Sequence, residues 1–159
     1  MFKDVHHALS WAANIANIAI YRHPKANHLA SEPSKGTQND LLMGLSAEQA
    51  HMQAYQILNM VRNLSNPIHF QFVSVKYGLG SETDLLEANS GINRPSLKLI
   101  YQYMGLAYFN QRELRKDLKC QMEDVPKYRI KVYRELDRIR SEAFERLGEK
   151  MIEAGLINH

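Results

Sequence analysis

The stretch "KYRIKVYRELDRIR", Lys127 to Arg140, combines two patterns. Six of its fourteen residues are Lys or Arg, and apolar side chains recur between them at intervals of three or four. An α-helix places residues with that spacing on one face. The stretch therefore predicts one long amphipathic helix, running from Pro126 to about Leu147, with a buried side and a charged side.

Consecutive residues of a helix are rotated by about 100° around its axis, which assigns each side chain to the buried or the charged side. The predicted buried side consists of Tyr128, Val132, Leu136, Ile139, Ala143 and Leu147, widened by Tyr133 and Phe144. Four bases follow one another on the outward side and form what we call the basic stripe: Lys127, Lys131, Arg134 and Arg138.

The positive charge of the chain is concentrated around this helix. The 159 residues carry a net charge of +3. Residues 111–140 hold 10 Lys or Arg against 6 Asp or Glu, whereas residues 141–159 hold 2 against 4. Bases also crowd the first half of the helix, where the helix dipole disfavours cations. This asymmetry favours a polyanionic partner, because a row of bases on a rigid helix is what phosphate neutralisation requires.

A solvated surface helix with internal ion pairs is the competing interpretation. Glu135 lies one turn beyond Lys131 and is placed to pair with it. Asp137 could join Arg134 and Arg138 in a wider network. Both interpretations require the stripe to be exposed, so the sequence leaves them open.

The rest of the chain predicts an all-α fold, a compact bundle of about six or seven helices. Asp4 is a plausible cap for a first helix, and Ser46 with Gln49 forms a capping box for a second. Asn66 followed by Pro67 favours a helix over a strand for "NPIHFQFVSVKYG". Further helices are predicted at 81–91, 93–105, 111–119 and 149–157, the last closing the chain.

Length and composition predict one domain over residues 1–159, with lobes at 1–78 and 92–159. Residues 22–44 are expected to be an exposed connector, since they contain few large apolar groups. No apolar run reaches the ~20 residues that span a bilayer, and the first residues lack a secretory signal pattern. With one cysteine, Cys120, these features predict a cytoplasmic protein.

Motifs for catalysis and for metal binding are largely missing, so no catalytic residue, metal or cofactor is predicted. Glu48 and His51 have the E-x-x-H spacing of di-iron bundles, but a second copy is absent. For Cys120 as a nucleophile, the sequence offers no identifiable activating base, so this residue is expected to be a packed turn residue. Core packing is favoured over base stacking for an aromatic cluster formed by Tyr101, Tyr103, Tyr108 and Phe109.

The segment "QRELRKDLKCQMEDVPKYRIKVYREL", residues 111–136, resembles a helix-turn-helix. Leu114 and Leu118 match the apolar positions of a short first helix, Cys120 the small residue of the turn, and Val125 the buried start of the second helix. Lys119 stands where the turn usually has glycine, and a longer turn is expected. In order and spacing the segment is similar to the promoter-reading region of bacterial sigma factors and to related phage regulators. With "HALSWAANIA" at 7–16, the chain resembles prophage-encoded late-gene antiterminators of the Q type.

The resemblance implies a DNA-binding transcription regulator of phage type that is not an enzyme. Its expected contacts with duplex DNA are the basic stripe and three bases of the preceding helix: Arg112, Arg115 and Lys116. Host RNA polymerase as a second partner and a homodimer are left open. The alternative is a helical protein-interaction module, an adaptor or inhibitor that uses the same basic face on a host protein.

Overall fold

The computed structural model describes residues 1–21, 43–79 and 97–158. Within these ranges it contains six α-helices, one short 3-10 turn and no β-strand, which confirms the all-α prediction. The helices are α1 (Val5–Tyr21), α2 (Ala47–Arg62), α3 (Pro67–Lys76), α4 (Leu97–Tyr103), α5 (Gln111–Leu118) and α6 (Val125–Glu153), and the 3-10 turn is Met122–Asp124. Among the described helices, none combines the length and the apolar character needed to cross a bilayer. The helix predicted at 81–91 and almost all of the 22–44 connector lie outside the described residues.

The chain divides into two compact units, Met1–Asn63 with Leu147–His159, and Leu64–Arg146. The first unit contains α1, α2 and the end of α6, and the second contains α3, α4, α5 and the rest of α6. The lobes expected at 1–78 and 92–159 stay a prediction.

In the first unit, α1 is buried around most of its circumference. The His7 amide donates to Asp4 Oδ1 at 2.7 Å, so Asp4 caps the start of α1 as predicted. Trp11 is 5% exposed, and its ring centroid lies 5.1 Å from that of Phe2. The Phe2 amide in turn donates to the Leu156 carbonyl at 2.8 Å, which ties the start of this unit to its final residues.

The starts of α2 and α3 are set by the predicted caps. The Gln49 amide donates to Ser46 Oγ at 3.2 Å, and the Ser46 amide donates back to Gln49 Oε1 at 2.9 Å. The Ile68 amide donates to Asn66 Oδ1 at 3.0 Å, with Pro67 at the first helical position. The segment "NPIHFQFVSVKYG" thus forms the helix α3, as predicted. All its residues from Gln71 to Val75 are buried, which is why it shows no single apolar stripe.

The last helix is longer than predicted. A separate helix at 149–157 was expected after a break near Gly148, but α6 continues without interruption to Glu153. Gly148 lies inside α6, and a Cβ built on it would lie 3.6 Å from Val5 Cγ2, an ordinary van der Waals distance. Glycine here does not end the helix, which ends before Gly155 at φ +66°.

We expect Gly148→Ala to raise the free energy of unfolding by about 0.5–1 kcal/mol, since alanine favours the helix interior and its methyl group fits against Val5. Urea unfolding followed by circular dichroism measures this. Gly155→Ala is the matched control, and its left-handed backbone should make it destabilising by about 1–2 kcal/mol. A loss of stability in Gly148→Ala would contradict the continuous helix.

Candidate nucleic-acid interface

The short helix α5 presents three bases on the side opposite its buried residues. Its start is fixed by a reciprocal cap, in which the Glu113 amide donates to Asn110 Oδ1 at 3.0 Å and the Asn110 amide donates to Glu113 Oε2 at 2.9 Å. Leu114 and Leu118 are buried. The exposed bases are Arg112, Arg115 and Lys116. Their spacing of three and four residues keeps all three on one side.

The turn between α5 and α6 is built around Lys119. This residue takes the left-handed conformation, at φ 50° and ψ 46°, that glycine usually supplies after a helix. The connection runs over residues 119–124 and includes the 3-10 turn, so it exceeds the roughly three or four residues of a helix-turn-helix turn. Val125 is buried at the start of α6, and Cys120 is half-buried.

The two predicted sides of α6 are confirmed. Val132, Leu136, Ile139, Ala143 and Leu147 are at most 1% exposed. Tyr128, Tyr133 and Phe144 are half-buried at the margins of this side. All four residues of the basic stripe are exposed on the other side. The helix therefore packs through one face and turns its bases away from it.

Within the stripe, the cations differ in how far acids already neutralise them. Lys127 Nζ lies 3.1 Å from Asp124 Oδ1, with the lysine side chain 74% exposed, so this pair is weak and open to exchange. Lys131 and Arg134 make no ion pair with any residue in the described ranges. The predicted ion pair between Lys131 and Glu135 is wrong, because Glu135 pairs with Arg138 instead.

Arg138 is held between two carboxylates. Its Nη2 donates to Glu135 Oε1 at 2.5 Å and its Nη1 donates to Glu142 Oε1 at 2.6 Å. These hydrogen bonds, from Glu135 first and Glu142 second, raise the pKa of Arg138. Although exposed, Arg138 is the stripe residue whose charge is most fully neutralised.

The same network reaches a buried histidine that the sequence analysis did not single out. His69 of α3 is 7% exposed, and its Nε2 lies 3.1 Å from Glu142 Oε2 and 3.3 Å from Asn66 Nδ2. The hydrogen bond from Arg138, and after it the one from His69, lowers the pKa of Glu142. His69 and Glu142 are 73 residues apart, so no local spacing pattern could have paired them.

A tyrosine from α4 anchors the other margin of α6. The Tyr103 hydroxyl donates to Asp137 Oδ1 at 2.5 Å, and its ring centroid lies 5.2 Å from that of Tyr133. Burial, followed by the hydrogen bond to Asp137, raises the pKa of Tyr103 to about 12, while Arg140 opposes this.

The prediction of core packing is wrong for Tyr108, one member of the aromatic cluster. Tyr108 is 84% exposed, because α4 ends at Tyr103 and helical spacing no longer applies beyond it. Phe109 is half-buried, with Lys98 Nζ 5.5 Å from its ring centroid.

An open groove of about 330 Å³ runs along the outward side of α6. It is lined by Arg129, Ile130, Tyr133, Arg134 and Asp137. Ile130 is 58% exposed there, whereas Arg129 is half-buried. Sequence reasoning had given Ile130 no role. Glu48 and His51, the single E-x-x-H pair, are both exposed on α2.

No family model, curated protein or solved structure matches this chain.

The raised pKa of Tyr103 gives a direct test of this geometry. In absorbance titration, one of the eight tyrosines should ionise near pH 12. The folded chain binds the phenolic proton more tightly than the unfolded chain. The associated stability is therefore complete below pH 10 and is lost as the pH rises through about 12.

Tyr103→Phe should remove this late transition, and Asp137→Asn should move it to lower pH. A titration in which Tyr103→Phe loses an ordinary transition near pH 10 would contradict the hydrogen bond to Asp137 and the burial.

Proposed function

We propose that this protein is a non-catalytic, DNA-binding transcription regulator of phage type, which holds duplex DNA through α5 and the first half of α6. The DNA contact is argued from charge and exposure. The regulatory role is argued from the resemblance to sigma factors and late-gene antiterminators alone. Host RNA polymerase and a second copy of the chain stay predicted partners.

The observation that carries the proposal is a set of outward cations that no acid in the described ranges neutralises. Lys131 and Arg134 supply two of them from α6, and α5 supplies the other three: Arg112, Arg115 and Lys116. A helix whose back is buried fixes the backbone positions from which its bases project. Each phosphate they neutralise releases counterions, which makes binding favourable and dependent on salt.

The dimensions of the stripe suit a duplex. From Lys127 to Arg138 the helix advances about 16 Å at 1.5 Å per residue. The major groove of DNA is about 12 Å wide and admits an α-helix. Bases along such a helix reach phosphates at the groove edge, whereas side chains at the centre of its outward face meet the base edges.

A protein-interaction module is the second candidate, and the groove around Ile130 is the observation that favours it. An exposed apolar side chain beside Arg129 and Arg134 could receive an acidic segment of a host protein. This candidate predicts a complex with one protein and no retention on duplex DNA. Binding to duplex DNA by fluorescence anisotropy, repeated over a range of salt concentrations, separates the two.

Lys131→Ala combined with Arg134→Ala should weaken duplex binding on every sequence to a similar extent. The slope of log K against log salt concentration should flatten by roughly 2, because each lost phosphate contact removes about 0.9. The matched control is Arg62→Ala combined with Arg146→Ala, which removes two exposed charges outside the stripe. If the control changed the slope as much as the stripe variant does, the stripe would not be the contact surface.

Glu135→Gln should tighten duplex binding and steepen the salt slope by up to about 1, since it releases part of the Arg138 guanidinium for a phosphate. Glu145→Gln makes the same change of charge at an exposed position of α6 and is the control. The same salt-titrated anisotropy measurement applies. Equal effects of the two variants would show that net charge, and not the release of Arg138, is responsible.

A further inference from the structure

An apolar residue lies on the outward face of α6, at the edge of the basic stripe. Ile130 is 58% exposed, and within α6, which the structure describes in full, it is the one large hydrophobic side chain that is exposed. At about 100° per residue, Ile130 and Arg134 lie roughly opposite the buried row that contains Val132 and Leu136. They are one turn apart on the outward face, with Arg134 on the side of the basic stripe.

Helix stability does not favour isoleucine at this position. Its side chain contributes little to the core while it stays exposed. A β-branched residue is also a poorer helix former than the Lys, Arg or Glu that occupy the neighbouring outward positions. A partner with an apolar group at the matching place would bury the exposed part of Ile130.

The surroundings of Ile130 specify the chemistry of that partner. Lys127 and Arg134 lie three residues before it and four residues after it, and Lys131 is adjacent to it. Asp137, the acid in the groove, accepts the hydrogen bond of the Tyr103 hydroxyl. A polyanion therefore suits the side of Ile130 that carries these three bases, and Ile130 itself suits an apolar group. Duplex DNA presents both in its major groove, where the thymine 5-methyl group lies near the phosphate backbone.

We infer that Ile130 contacts the 5-methyl group of a thymine in the major groove and so contributes to sequence preference. This inference rests on the proposed function. It adds a base-reading residue to cations that only position the protein. The contact excludes water from one methyl group, which corresponds to a preference of about fourfold for thymine over uracil at one position.

The test begins with a duplex enriched from a random-sequence pool by the full-length protein. That duplex is then synthesised with deoxyuridine replacing thymidine at one position at a time, which removes only the methyl group. For the wild-type protein, replacement at one or two positions should weaken binding about fourfold, measured by anisotropy. Ile130→Ala should bind all these duplexes equally, since it lacks the contact, and it keeps a good helix former at an exposed position.

Lys131→Ala serves as the comparison, because it should weaken binding to all duplexes while preserving the difference between thymine and uracil. The inference is overturned if the enriched duplex is bound with the expected salt dependence and no position responds to deoxyuridine. It is equally overturned if Ile130→Ala remains as sensitive as the wild type. Absence of binding to any duplex, as expected for an acidic protein partner, would overturn the proposed function together with the inference.

Discussion

Burial of one side of α6 is the constraint on which the candidate interface depends. Val132, Leu136 and Ile139 are essentially inaccessible to solvent, and burying each contributes about 1.5–3 kcal/mol. Rotating the helix by one residue would turn it by about 100°, which would expose these groups and could bury Lys131 without a partner. The outward direction of the bases is therefore a consequence of the core packing of the second unit.

Local acids then determine which of the outward bases are available to a ligand. Sequence spacing treats Lys127, Lys131, Arg134 and Arg138 as equivalent members of one row. In the folded chain, Arg138 binds two carboxylates and Lys127 binds one, whereas Lys131 and Arg134 pair with no described residue. Glu142 is itself held by His69, so the pairing of Arg138 is fixed from a second helix. Within the stripe, the bases left available are thus Lys131 and Arg134.

Features with a local cause could be predicted from the sequence. The caps at Asp4, Ser46 and Asn66 depend on residues within three positions of one another, and each forms as expected. The sides of α6 follow from its periodicity. Features that depend on distant residues could not be predicted. The pair of His69 with Glu142 joins two helices far apart in sequence. Residue 119 is a lysine and not a glycine, yet Lys119 adopts the left-handed conformation that the turn requires.

Lysine acetylation footprinting in the presence and absence of duplex DNA tests the central claim most directly, because it reports which ammonium groups the duplex covers. The account predicts that Lys116, Lys127 and Lys131 become slow to react when DNA is bound, while the exposed Lys3 of the other unit keeps its rate. Unchanged reactivity of Lys131 in a DNA-bound sample, or protection confined to Lys3, would contradict it.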